Sequence, residues 1–174
     1  MATRDVKLLG TWSCPYVNRV QLALKLKSIE YEFIEDNPYN RSEILVKNNP
    51  VLKKIPVLIH GNKPVCESLI IVQYIDDAWP IGPSLLPSDA YDRKDYFGGE
   101  NIGYIDIVLG SSLAWLRVTE IVVGVQLLDQ TRTPGLAKWA ERVISNDVFK
   151  DVLPETKKLL ELHEKIQAFI KSST

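Results

Sequence analysis

The 174-residue sequence holds two cysteines, Cys14 and Cys66, and only Cys14 sits where sulfur chemistry is favoured. It directly precedes Pro15, and Val17, Val20 and Leu24 follow at i, i+3 and i+7 spacing, so the residues after Cys14 read as an amphipathic helix whose proline costs nothing in the first turn. A cysteine at a helix N-terminus has its thiolate stabilised by the helix dipole and acts as a nucleophile. The competing reading is an inert, packed thiol, the commoner state of a cytosolic cysteine. Cys14-Pro15-Tyr16-Val17 contains no second cysteine, so a redox cycle there would be monothiol. Cys66 ends an apolar strand and reads as core.

A second chemical feature is Glu67-Ser68 at the start of another helical pattern. Free N–H groups and the dipole at a helix start attract a carboxylate, and Ser68 adds a hydroxyl. The plain alternative is a capping pair, which is compatible with binding. Lys54-Ile55-Pro56 places a proline at the start of a strand. His60 and His163 are too few and too isolated for a metal site or a nucleophile–base pair, and no metal is expected.

These residues need a scaffold, and the first half supplies strand and helix signals in alternation. Val6 to Gly10 reads as a strand, Tyr31 to Ile34 as a second, and Ser42 to Asn48 as a short helix ended by Pro50. Pro56 to Ile59 and Pro64 to Cys66 flank Gly61-Asn62, a hairpin turn pair. Ile71, Tyr74, Ile75 and Ala78 then form the apolar stripe of a third helix. The order βαβ, helix, ββα predicts an α/β layer with parallel pairing. Pro80, Gly82, Pro83 and Pro87 mark a linker. Beyond it the sequence reads as helical: Tyr104 to Val123 as one helix apolar around nearly its whole circumference, then Pro134 to Ser145 and Glu155 to Lys171. Trp115 and Trp139 read as core.

With 21 Lys plus Arg against 22 Asp plus Glu, the formal charge is −1, and no field draws the chain to nucleic acid. The most apolar stretch, Ile107 to Leu116, is too short for a membrane span. The N-terminal residues carry no signal-type apolar core, and two cysteines give no disulfide framework, so a cytoplasmic location is expected.

Leu8-Leu9-Gly10-Thr11-Trp12-Ser13-Cys14-Pro15-Tyr16, the run Asn49 to Leu58, Glu67-Ser68, Tyr74-Ile75-Asp76 and Leu86-Pro87-Ser88-Asp89 together resemble the plant tau-class glutathione transferases. The likeness is continuous through Arg93 and resumes at Lys94-Asp95-Tyr96-Phe97-Gly98-Gly99. It then runs through Gly103-Tyr104-Ile105-Asp106 and Thr133-Pro134-Gly135-Leu136. Between Arg93 and Lys94 the family has two long helices that are absent here. A splice or gene-model deletion, or a naturally or deliberately shortened variant, would produce this pattern.

The resemblance implies a thioredoxin-like glutathione-binding domain over residues 1–80, a linker over 81–93 and a shortened all-α domain over 94–174. Glutathione would be the co-substrate. Pro56 would take the cis form and expose the Ile55 backbone to pair with the tripeptide like an added strand. Glu67 and Ser68 would grip its γ-glutamyl end, while Arg41 and Lys54 would supply cations to its glycine carboxylate. Gly103 and Asp106 would cap a helix, with Ile102 and Ile107 as its staple.

Cys14 departs from the family pattern, which has a serine there to hydrogen-bond the glutathione thiolate. The family function is conjugation of glutathione to small electrophiles, in detoxification and stress response. Cys14 raises the alternative of a thioltransferase or dehydroascorbate reductase acting on a disulfide or oxidised substrate. The missing helices raise a third, an impaired or non-catalytic glutathione-binding variant, and would weaken a homodimer interface.

Overall fold

The computed structural model describes residues 5–86 and 102–172. Four strands form one sheet in the order β2-β1-β3-β4, with β1 Val6–Gly10, β2 Glu32–Glu35, β3 Val57–His60 and β4 Lys63–Cys66. β1 and β2 run parallel, joined through helix α1, Pro15–Leu26, because a parallel pair needs a long crossover. β3 runs antiparallel to both β1 and β4. The β3–β4 hairpin closes on Gly61 at φ 60°, a conformation open to glycine at the first position of a two-residue turn. Pro64 is tolerated in β4 because that strand lies at the sheet edge.

Side chains of the central strands alternate between two apolar layers, as the two-residue period of a strand requires. Leu8 and Leu58 join the larger cluster with Val20, Leu24, Ile71 and Ile75, where α1 packs against α3, Ser68–Ala78. Leu9, Val57 and Ile59 face the other way, towards Leu45 of α2, Glu43–Asn48. Ser42 caps α2 by accepting from Leu45 N–H at 3.2 Å.

The larger cluster continues without a break into the helical half through Ile107, Leu113, Trp139 and Phe149. Leu85, fully buried, is the hinge between the halves: its N–H donates to Asp76 Oδ1 at 2.9 Å and its carbonyl accepts from Tyr104 N–H at 2.9 Å. Most of the anticipated linker, and the junction of Arg93 with Lys94, lie outside the described residues.

The single helix expected over Tyr104 to Val123 is two, α4 Tyr104–Gly110 and α5 Leu113–Val123. The apolar run hid the break. At Gly110 an added Cβ would stand 2.5 Å from Phe149 Cε1, so the backbone is packed tight there, and Ser111 Oγ bonds back to Val108 O at 3.0 Å. α5 is not buried on several sides either, since Ile121, Val122 and Val123 are exposed. α6 is Pro134–Ser145 and α8 is Thr156–Ser172.

The sequence reading passed over α7, Asp147–Val152, which is short and is capped by Asn146 Oδ1 accepting from Val148 N–H at 2.9 Å. The cap of α4 forms as expected, with Gly103 N–H donating to Asp106 Oδ2 at 3.0 Å. The other Asp106 oxygen accepts the indole N–H of buried Trp139 at 2.6 Å.

Candidate functional site

A cleft of about 530 Å³ opens where α1, the segment before β3 and the start of α3 meet. Lys54, Ile55, Glu67 and Ser68 all line it, joined by Pro56, Leu69, Ile70, Tyr16 and Arg19. The Ile55–Pro56 bond is cis. Lys54 is exposed, and its carbonyl is held by Asn49 Nδ2 at 2.9 Å.

Glu67 is the N-cap of α3 with φ 70° and ψ 114°, a conformation that costs a non-glycine residue of order 1–3 kcal/mol. Its side chain makes no cap hydrogen bond, so the plain capping reading of Glu67-Ser68 does not hold. Ser68, one residue inside the helix, is buried and its Oγ accepts from Arg19 Nη1 at 2.9 Å.

Arg19 is the cleft residue that the sequence reading missed. It is 93% buried, its Nη2 donates to Val108 O at 3.1 Å, and its buried Nε has no partner among the described residues. The guanidinium carbon stands 5.3 Å from the centre of the Tyr16 ring. Burial pushes the Arg19 pKa down, opposed by the charges available to Tyr104, Tyr16 and Cys14. Nothing local in the sequence marks Arg19, because its partners lie 49 and 89 residues away.

Cys14 is the N-cap of α1 and half-buried, with its side chain packed against the main core and no place in the cleft lining. Its N–H donates to Thr11 O at 3.1 Å, and its carbonyl accepts from Val17 and Asn18 N–H, each at 3.0 Å. The preceding loop is pinned on three sides. Thr11 Oγ1 donates to Glu35 at 2.7 Å, Asn18 Nδ2 donates to Trp12 O at 3.1 Å, and the Trp115 indole N–H donates to Ser13 O at 2.7 Å. Trp115, expected in the core, is half-buried and ties α5 to the residue before Cys14.

Arg41 stands apart from the cleft lining and pairs with buried Asp36 at 3.6 Å. Cys66 is half-buried, and burial together with the neighbouring Glu67 charge pushes its thiol pKa up. His60 is packed: its ring stacks on Trp79 at 4.6 Å and its Nδ1 shares a hydrogen with the Tyr74 hydroxyl at 2.8 Å. Among the described residues no group of three or more His, Cys, Asp or Glu side chains could hold a metal ion, and no helix is long and apolar enough to cross a membrane.

A thioredoxin-like sheet followed by a helical half, with its cleft beside a helix start and a cis proline, defines a class of two-part thiol-handling proteins. Residues 4–77 match the glutathione S-transferase N-terminal domain and residues 86–147 the C-terminal domain. Glutathione S-transferase U17 of Arabidopsis thaliana is 43% identical, over 95% of this chain and 97% of its own. Glutathione S-transferase U18 of the same plant is 42% identical over the same shares.

A tau-class glutathione S-transferase structure from mango, Mangifera indica, is 42% identical with a TM-score of 0.88, covering 94% of this chain and 99% of that one. A rice enzyme solved in complex with glutathione is 28% identical with a TM-score of 0.85, covering 95% and 99%. The chain belongs to the glutathione S-transferase family, and within it to the tau class. The alignment with U17 runs over 221 positions against 174 residues here, so at least 47 positions of that relative have no counterpart in this chain.

Proposed function

We propose that this chain binds glutathione in the cleft and conjugates it to small electrophiles. The observation that carries the reading is the meeting of Lys54, Ile55, Glu67 and Ser68 in one cleft, next to the helix that Cys14 caps. In this reading the Ile55 backbone pairs with the extended tripeptide. The N-terminus of α3 and the Ser68 hydroxyl hold the γ-glutamyl carboxylate, as free N–H groups and a hydroxyl suit an anion. Lys54 neutralises the glycine carboxylate, with Arg41 reaching it from the neighbouring loop.

The glutathione sulfur then lies by Cys14 at the N-terminus of α1, where the helix dipole favours thiolate. Its proton leaves to solvent, the thiolate sulfur forms a bond to the electrophilic carbon, and the leaving group departs with the bonding electrons. The positions missing relative to U17 belong, in this reading, between Arg93 and Lys94, at the start of the helical domain over 94–174. Their loss thins the electrophile pocket and weakens pairing with a second copy.

A second reading is favoured by one residue: Cys14 offers a thiol at the helix N-cap. Its thiolate would attack a glutathione mixed disulfide, forming the Cys14–glutathione disulfide and releasing the other thiolate. A second glutathione thiolate would then release Cys14 and leave as glutathione disulfide. Conjugation to a chlorinated aromatic and thiol exchange, assayed side by side for the parent protein and Cys14→Ser, decide between the two. Conjugation that dominates in the parent supports the first reading. Exchange that dominates, is lost in Cys14→Ser and gives way to greater conjugation places the native chemistry in the second.

A further inference from the structure

The helical half carries a trough that the glutathione cleft does not use. A hollow of about 600 Å³ lies between α5, the loop that follows it and α6. Leu113, Ala137 and Ala140, all buried, floor it, and Leu128 and Ile144 wall it. A second hollow of about 320 Å³ extends to Ile121 and Val125. Arg117, Glu120 and Gln126 line both, so the two form one continuous trough. Ala137, Ala140 and Ile144 follow at i, i+3 and i+7 on α6, and the two short side chains make the trough deep.

Its walls are fixed before anything enters. Buried Glu120 accepts from Leu127 and Leu128 N–H at 2.7 and 2.9 Å, which fastens the loop to α5. Gln130 Nε2 donates to Glu141 Oε1 at 2.8 Å, which fastens the same stretch to α6. A preformed surface loses little freedom when it is covered. Ile121, Val125 and Ile144 nonetheless stand 50%, 48% and 47% exposed.

Charge and area select the partner. The rim carries Arg117 and Lys150 together with Glu120 and Glu141, two charges of each sign. Such a rim gives a strongly acidic or basic partner no advantage, whereas a two-fold axis through the trough sets cations of one copy against carboxylates of the other. From the exposed fractions of the trough residues, each copy offers on the order of 700 Å², close to the roughly 800 Å² per partner of a standard interface. U17 has at least 47 positions without counterpart here, so this chain has fewer segments of its own to lay on an apolar face.

We propose that two copies of this chain pair through the trough between α5 and α6, related by a two-fold axis, each covering the other's Ile121, Val125 and Ile144. The pairing uses only residues this chain has, so it is separate from any that the positions missing relative to U17 would support. No trough residue lines the cleft at α1 and α3, so the pairing stands apart from the glutathione reading.

The test is sedimentation velocity of the full chain from about 1 to 300 μM, for the parent, Ile121→Asp, Ile144→Asp and, as a control elsewhere, Ile81→Asp, at a position 84% exposed beyond α3. The parent passes from monomer to dimer and no further. Ile121→Asp and Ile144→Asp each weaken the dimer roughly tenfold or more by sealing a carboxylate into an apolar seam, while Ile81→Asp leaves it unchanged. Hydrogen exchange at the two ends of the concentration range reads the face: amides of residues 121–128 and 137–145 slow at the high end only.

A parent that stays monomeric throughout overturns the proposal. So does a dimer that tolerates both trough variants, one that Ile81→Asp weakens equally, or assembly that continues beyond two copies. Trough amides whose protection does not change with concentration also overturn it, because the cover then comes from within the chain. Should an aspartate variant fail to fold, sedimentation and exchange of the parent still decide it.

Discussion

Replacing Asp76 by asparagine should destabilise the protein through its hinge. Lys27 Nζ and Asp76 Oδ1 are 2.7 Å apart, with the two side chains only 1% and 9% exposed, so the ammonium has no route to water. Removing the charge on one side of such a pair costs about 3–5 kcal/mol, because the other charge remains buried. Asp76 also accepts from Leu85 and Leu86 N–H, each at 2.9 Å on a different oxygen. An asparagine keeps one acceptor oxygen, so one of these amides loses its partner for about 1 kcal/mol more.

For a chain of this size the total corresponds to a fall in Tm of roughly 10–20 °C. Thermal melts followed by circular dichroism measure it, with Lys27→Met added to Asp76→Asn as the control. That double variant should regain most of the loss, because the unpaired charge is gone while only the amide remains unsatisfied.

The pH dependence follows from the same groups. Burial alone would raise the Asp76 pKa, but hydrogen bonds from Leu85 N–H, the Lys27 ammonium and Leu86 N–H hold it below the ordinary 3.8. A depressed carboxyl contributes stability that is complete above its unfolded pKa and is lost as pH falls through the folded value. The gap between parent and Asp76→Asn melts should therefore be constant above about pH 5 and close on acidification below pH 4. A fall of less than about 3 °C at pH 7, or no recovery on adding Lys27→Met, refutes the reasoning.

Trp115→Phe removes the 2.7 Å bond to Ser13 O while keeping an aromatic ring, and should lower kcat/KM about tenfold with little change in Tm. Glu120 accepts from Leu127 and Leu128 N–H at 2.7 and 2.9 Å. The Leu128 bond chiefly holds its carboxyl below the ordinary 4.5, against burial and with help from Leu127 and Arg117. The amides of Leu127 and Leu128 should exchange with deuterium faster in Glu120→Gln, and in the parent as pH falls below 4.5 once intrinsic rates are divided out. Gly110→Ala forces a methyl to within 2.5 Å of Phe149 Cε1 and should cost about 1–3 kcal/mol in a urea titration.

The N-terminal half was legible because its signals are local. Pro15 after Cys14, the turn pair Gly61-Asn62 and the strand alternation around Leu8-Leu9 each specify an element within a few residues. The break in the Tyr104 to Val123 run was not legible, since it depends on Phe149, a residue on a helix that the sequence reading did not include. α7 itself is only one and a half turns, too short for an apolar period to stand out. Lys54 with Ile55 and Glu67 with Ser68 could be named in advance, chiefly through motifs that resemble the tau-class transferases. Arg19 could not, because a charged residue on α1 looks solvated until Ser68 and Val108 are folded onto it.

Contacts between the two halves also bear on the positions of U17 that have no counterpart here. Among the described residues the helical half bonds to the first half where Trp115 donates to Ser13 O, where Val108 O accepts from Arg19, where Tyr104 N–H donates to Leu85 O and where Asp151 pairs with Lys25. On the proposed function, the first of these steadies the residue before Cys14, at the sulfur end of glutathione. That contact comes from α5. With the positions without counterpart placed between Arg93 and Lys94, as proposed above, their loss falls on the electrophile side of the reaction. Glutathione affinity should stay close to that of full-length tau-class relatives while the KM for the electrophile rises, a split that loss of substrate-binding surface produces and loss of thiol activation does not.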